Sequence, residues 1–280
     1  MSTEKNVIKV TPIMLDNLHE YIQQDPDKHS TAIQKQVINT HLTDIVNSVN
    51  YFISDDDSDE RGLIVNGPAG GGKTSLVTKT LGKLNAKSHV ITTSLTAPNL
   101  YIELYKHARK PGQILVIDDT DVMLENTEMC DILKAALGDG HVCYNKRSQN
   151  LRDEDVPREF ICKGKVIMIT NKHINNNALT TKETQRLQPV VDRCEYIYAG
   201  LDKRWTLVGM REMVKAGAIV DLKDSGLDIN VHLEFIDFIE SLLDEVHHVS
   251  YRFIRKCLKA YKMDADNWRR HARRVIVKGA

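Results

Sequence analysis

The sequence predicts an α/β fold, a parallel sheet flanked by helices and followed by a small helical domain. Three observations predict it. Short, nearly continuous apolar runs alternate with helical stretches between residues 62 and 171, the pattern of parallel strands covered on both faces. A glycine-rich turn sits between the first of those runs and a helix. After about residue 200 the strand signal largely stops and helical spacing takes over.

The elements follow in order. Ile13, Leu15, Leu18 and Ile22, then Ile33, Val37, Ile38, Leu42, Ile45, Val46 and Val49, recur at three and four and predict two amphipathic helices parted by QQDPDKHS. SDDDSDERG reads as a solvated acidic turn. RGLIVNG, SHVITTS, QILVID and KVIMITN are strand-like; KTSLVTKTLGKL, NLYIELYKHA and MCDILKAALGDG between them are helical. Beyond residue 200, KRWTLVGMREMVKAG, VHLEFIDFIESLLDEV and SYRFIRKCLKAYK read as helices, with turn chemistry in DLKDSGLDIN.

Composition narrows the class. In 280 residues, 41% are hydrophobic and 27% charged, ordinary for a soluble globular protein. Lys plus Arg number 38 against 38 Asp plus Glu, so any nucleic-acid contact must come from a local patch. Cys130, Cys143, Cys162, Cys194 and Cys257 are scattered and never spaced CxxC, which suits small buried hydrophobes in a reducing compartment rather than a disulfide framework or zinc knuckle. MSTEKNVIKVTP lacks the apolar core of a secretory signal, and no run approaches the roughly 18 apolar residues of a membrane span. The expectation is a cytoplasmic protein with no membrane partner.

GLIVNGPAGGGKTSLV matches the phosphate-loop pattern G-x-x-x-x-G-K-[ST] through Gly67, Gly72, Lys73 and Thr74. Glycines let successive backbone N–H groups curl around phosphate oxygens. Lys73 brings charge to the β- and γ-phosphates, the Thr74 hydroxyl can ligate Mg²⁺, and the following helix adds its positive end. The binding set is therefore Gly67, Pro68, Ala69, Gly70, Gly71, Gly72, Lys73, Thr74 and Ser75. A strand before and a helix after give the motif its required context.

ILVIDDTD supplies the second half. Asp118 ends an apolar strand 45 residues after Lys73 and would hold Mg²⁺, with Thr74 as the other metal-side residue. The neighbouring acid would orient or deprotonate the attacking water. Here it is Asp119, one methylene shorter than the usual glutamate; Asp121 can contribute from the following turn, and both aspartates also suit helix capping.

With both motifs in place, the chain resembles the AAA+ superfamily of P-loop ATPases across roughly residues 30–263. The resemblance implies ATP and Mg²⁺ as cofactors and assigns further roles. Asn171, ending KVIMITN 53 residues past Asp118, falls where the family places its sensor-1 polar residue, which holds the attacking water. RLQPVVDRCEYIYAG resembles the clamp-loader segment that carries an arginine finger in a Ser-Arg-Cys triplet. Here the triplet is Asp192–Arg193–Cys194, making Arg193 the finger, with Arg186 as fallback. HVSYRFIRKCLKAYK resembles the lid helix bearing the sensor-2 arginine, which maps to Arg252. IDDTDVMLENTEMCDILKAALGDG is similar to AAA+ proteins of tailed bacteriophages that share an Asp-Asp-x-Asp metal strand, which implies a host-cytoplasmic location.

On this reading residues 1–30 form an N-terminal helical extension, 31–200 the nucleotide-binding domain, 201–263 the helical lid and 264–280 a basic tail. A finger donated in trans implies a homo-oligomer, a ring or helical array of about six. Two regions are candidates for contact with a substrate. CYNKRSQNLR (143–152) offers Lys146, Arg147 and Arg152 with Tyr144 as a stacking residue, or is a plain exposed loop. From Arg252 to Ala280 there are ten Lys/Arg against two Asp, with Trp268 among arginines, which suggests single- or double-stranded DNA or else docking onto an acidic neighbouring subunit. The aromatic-apolar-glycine triplet of protein-threading relatives is missing from TTSLTAPNLYIEL, where Tyr101 is a weak substitute. The expected function is an ATP hydrolase that remodels DNA during replication, recombination or packaging. The alternatives are a protein remodeller and a nucleotide-gated assembly protein with negligible turnover.

Overall fold

The computed structural model describes residues 15–55, 60–92, 94–172, 174 and 180–277. Ile13, residues 56–59 of the acidic turn and Lys278 lie outside them. The first part of the chain forms α1 (Leu15–Ile22), α2 (Thr31–Ser54), β1 (Gly62–Asn66), α3 (Lys73–Lys83), β2 (Lys87–Ile91), α4 (Ala97–His107) and β3 (Gln113–Ile117). Next come α5 (Thr127–Leu137), β4 (His141–Cys143), α6 (Gln149–Asp153), β5 (Glu159–Ile161), β6 (Lys165–Thr170), α7 (Thr181–Val191) and β7 (Cys194–Tyr198). The helices α8 (Lys203–Lys215), α9 (Val220–Lys223), α10 (Ile229–Glu240), α11 (Arg252–Met263) and α12 (Trp268–Ile276) complete it. Two compact units result: Ile45–Gly200, and Met1–Asp44 together with Leu201–Ala280.

In the first unit five strands make a fully parallel sheet in the order β2-β3-β6-β1-β7. Alternating side chains explain why both faces are covered. Leu63, Val65, Val116 and Ile167 meet Val49 and Phe52 of α2 and Val77 and Leu81 of α3 on one face. Ile64, Leu115, Val166 and Met168 meet α4, α5 and α7 on the other. Each such fully buried side chain contributes about 1.5–3 kcal/mol of hydrophobic stabilisation.

Two strand features were not expected from the sequence. The half-exposed run CEYIY forms β7, which pairs β1 in register Gly62↔Cys194; a Cβ at Gly62 would collide with the Cys194 sulfur. Between β3 and β6 the chain makes a two-stranded antiparallel hairpin, β4–β5, rather than a plain loop. Tyr144 follows it but is only 6% exposed, its ring 5.4 Å from that of the fully buried Tyr101. The Tyr101 hydroxyl donates to the Pro157 carbonyl at 3.0 Å. These two tyrosines are core, not stacking platforms. Lys146 pairs with Glu128 at 2.8 Å.

The second unit closes around Phe235, Ile236, Ile239, Ile254, Cys257 and Trp268. Residues 268–276, part of the stretch read as a tail, are helix α12. Trp268, Ala272 and Ile276 recur at four and point inward, which drives helix formation, while the arginines between them face outward. Trp268 is 2% exposed and lies edge-on to Phe235 and Phe238, so it offers no face to a base. Among the described residues no helix is long and apolar enough to cross a membrane.

Candidate functional site

Strand order builds the site. β6 lies between β1 and β3, so the residue after β6 stands between the phosphate loop, which follows β1, and the acids that follow β3. These are the carboxyl ends of parallel strands, where open α/β sheets bind ligands.

The loop leaves β1 through Gly67, where a Cβ would press on the Ala199–Gly200 backbone at 3.1–3.2 Å. It enters α3 through Gly72, left-handed at φ 84° and next to nothing a Cβ would meet, so conformation rather than space requires glycine there. Pro68, Ala69, Gly70 and Gly71 make the turn between them, and Ser75 is exposed on the first turn of α3. Lys73 is 5% exposed, and its ammonium donates to the carbonyls of Gly67 (2.8 Å) and Pro68 (2.9 Å) and to Asn171 Oδ1 (2.8 Å). The hydroxyl of Thr74 lies 2.9 Å from both carboxylate oxygens of Asp118. Thus Lys73, Thr74, Asp118 and Asn171, nearly a hundred residues apart at the extremes, converge at one end of the sheet.

Asp119 is exposed beside them, and its backbone N–H donates to Asp118 Oδ1 at 3.1 Å. Its φ is +58°, a left-handed conformation that aspartate tolerates better than longer side chains do.

Asp121 turns toward the end of β6. Its carboxylate accepts from the Thr170 hydroxyl (2.5 Å), from the backbone N–H of Asn171 (2.9 Å) and Lys172 (3.2 Å) and from Asn171 Nδ2 (3.2 Å). With its amide nitrogen held there, Asn171 turns its oxygen to Lys73. Burial pushes the Asp121 carboxyl up, but these hydrogen bonds outweigh it and hold the group below the usual carboxylate value. Lys172 then bridges Glu125 (3.0 Å) and Glu183 (2.8 Å), and together with Thr180 it holds Glu183 down to about 2.

Sequence reasoning missed Asn66. It is fully buried at the end of β1, donates to the carbonyls of Thr170 (3.4 Å) and Lys172 (2.6 Å), and accepts from the Tyr196 hydroxyl (3.0 Å). It ties the end of β1 to the end of β6. The available signal was a lone amide closing an otherwise apolar strand.

Arg193 and Arg186 hydrogen-bond outside this cluster. Arg193 precedes β7 at the level of Gly62, the opposite end of the sheet from Gly67, and its guanidinium donates to the Pro189 carbonyl. A five-residue strand spans about 16 Å, so Arg193 is far from its own chain's phosphate loop. Arg186 donates from Nε to the Leu124 carbonyl at 3.0 Å and props the turn after β3. Arg252 is exposed at the start of α11, in the other unit.

No family model matches the chain. An uncharacterized 36.7 kDa protein from the nrdC-mobD intergenic region of Enterobacteria phage T4 is 34% identical over 149 residues, 50% of this chain and 45% of the relative. The chain thus matches less than half of that relative's length. Among solved structures, a proline-to-glycine variant of Thermotoga maritima RuvB matches at a TM-score of 0.51 and 16% identity, covering 86% of this chain and 70% of that one. A lysine-to-arginine variant of the same protein matches at 0.50 and 15%, covering 85% and 68%. The fold is an α/β fold like that of these RuvB structures. At these identities the likeness concerns fold alone.

Proposed function

We propose that the chain is an oligomeric AAA+ ATPase that couples Mg²⁺-dependent ATP hydrolysis to remodelling in DNA metabolism. One observation carries the nucleotide reading. Lys73 and Asn171 are hydrogen-bonded at 2.8 Å beside a Thr74–Asp118 pair at 2.9 Å, uniting the phosphate-binding cation, the polar sensor and the hard-oxygen pair. A hydroxyl and a carboxylate fit Mg²⁺, which prefers oxygen and keeps several waters; the ion would neutralise charge building on the β- and γ-phosphate oxygens.

In this reading the loop N–H groups and Lys73 bind the triphosphate. Asn171, aimed by Asp121, positions water in line with the γ-phosphate, and Asp119 takes its proton. Arg193, too far from its own loop, serves the site of a neighbouring copy, and Arg252 contacts nucleotide from the lid.

The DNA reading rests on the outward face of α11 and α12. Arg255, Arg269 and Arg273 are engaged by Asp221, Glu234 and Glu245, which discounts the basic count seen in the sequence. Arg252, Lys259, Lys262, Arg270 and Arg274 are exposed and pair with no acid among the described residues. They leave a stripe of cations for phosphates, with affinity that falls as salt rises.

Phosphate release from Mg-ATP, with and without single-stranded DNA, tests the proposal in the wild type, Asp119→Asn and Arg193→Ala. Turnover in the wild type, raised by DNA and lost in both variants, is the expected result. ATP binding without phosphate release in either condition would make the chain a nucleotide-gated switch.

A further inference from the structure

On the edge strand of the sheet, outside the Lys73–Thr74–Asp118–Asn171 cluster, two imidazoles flank one carboxylate. His89 is the third residue of β2; Glu103 and His107 sit one turn apart on α4 and share a face. His89 Nε2 lies 3.6 Å and His107 Nε2 3.5 Å from Glu103 Oε2. That oxygen is buried and has no hydrogen-bond partner. The two rings are nearly parallel (11°) with centroids 3.8 Å apart. His89 and Glu103 line a cleft of about 570 Å³ whose other walls include Asn99, Lys106 and Glu154.

A buried carboxylate oxygen without a donor is costly unless a positive charge meets it. Two imidazoles and a carboxylate are the donor set of a divalent transition metal, whose charge would meet that oxygen. A tetrahedral ion with bonds of about 2.0–2.1 Å sets its ligand atoms roughly 3.3–3.4 Å apart. The separations of 3.5 and 3.6 Å here are close to that, and all three ligand atoms fall within 4.8 Å of one another.

We propose that His89, Glu103 and His107 form a binding site for a divalent metal of the zinc class, with a fourth position open to the cleft. In the stack the two lone pairs lie in near-parallel planes, so holding one ion requires rotations about the histidine side-chain torsions that open the stack. His89, whose side chain is 45% exposed, has room to make them. The ion would clamp edge strand β2 to α4. A second trio, His141, Cys143 and Glu159 on the β4–β5 hairpin, is exposed and less constrained, with Glu159 70% exposed; it serves as the internal control.

The test is titration of the full chain with Zn²⁺ and Co²⁺ in excess Mg²⁺, read by calorimetry and by the visible absorption of four-coordinate Co²⁺. The wild type should bind one equivalent and melt at higher temperature with metal. A lost ligand should weaken binding by at least the 10–100-fold that losing an outer-shell partner costs, so Glu103→Gln and His107→Ala should each lose the Co²⁺ bands and the melting shift. Glu103→Gln keeps the side-chain shape and decides the matter where His107→Ala does not fold. The double variant His141→Ala/Cys143→Ser should bind as the wild type does. No bound equivalent, undiminished binding in Glu103→Gln, or loss in the hairpin variant instead would each overturn the proposal.

Discussion

Asp119 sits at φ +58°, where an ordinary L-residue pays roughly 1–2 kcal/mol and aspartate or asparagine pays less because the short side chain bonds locally. That accounts physically for the missing glutamate: the backbone at this position favours a short acid. Asp119→Glu should therefore lose about 0.5–1 kcal/mol in urea denaturation and gain no turnover. Asp119→Asn should keep the stability and lose turnover by roughly 10²–10⁴, the usual worth of a positioned base. A stable, faster Asp119→Glu enzyme would show that the turn tolerates the longer acid. Asp121 makes a different prediction, because it orients Asn171 rather than touching phosphate. Asp121→Asn places an amide against N–H donors, at a cost of about 1–3 kcal/mol, and should slow phosphate release more than it weakens nucleotide binding. Since hydrogen bonds hold the Asp121 carboxyl below its ordinary 3.8, its contribution to stability is complete at neutral pH. It fades only as pH falls below the ordinary carboxylate range, and the acid limb of the wild-type stability curve should flatten in Asp121→Asn.

At the scale of elements, α12 separates packing from recognition within one short helix. Trp268, buried against Phe235 and Phe238, belongs to the core of its unit. Trp268→Ala should cost about 3–5 kcal/mol in chemical denaturation, the range for truncating a large buried aromatic. The exposed pair Arg270→Ala/Arg274→Ala should change stability by less than about 0.5 kcal/mol yet weaken DNA binding and lower its salt dependence. The opposite pattern, intact stability and lost DNA binding in Trp268→Ala, would restore the stacking role suggested by its arginine neighbours. The same helix shows what was legible. Strands buried on both faces, such as Leu63–Val65 and Val166–Met168, announce themselves as apolar runs, so the order of core elements could be read directly. CEYIY is half-exposed and carries two tyrosines and a glutamate, so β7 left only a weak trace. That Lys73, Thr74 and Asp118 come together was legible because the glycine-rich loop and the acid-ended strand form recognisable patterns at a set spacing. Asn66 and the orienting work of Asp121 were not, because their partners are backbone groups brought near only by sheet register.

The whole molecule raises the question of where one site ends and the next chain begins. The loop and Arg193 stand at opposite ends of β1 and β7, about 16 Å of strand apart, and that separation belongs to the fold. An arginine so placed either has no part in hydrolysis or acts on another copy through a head-to-tail contact. Mixing distinguishes the cases. Lys73→Ala destroys a chain's own phosphate site but leaves its Arg193 available; Arg193→Ala does the reverse. In a random one-to-one assembly, roughly one contact in four joins an intact phosphate site to an intact arginine from its neighbour. We expect each variant alone to be inactive and the mixture to recover up to about a quarter of wild-type phosphate release. Recovery should appear only at protein concentrations that support assembly. An inactive mixture of co-assembled chains would remove Arg193 from the shared site and leave Arg186 to be tested in the same way. Full activity in Arg193→Ala alone would detach hydrolysis from assembly altogether.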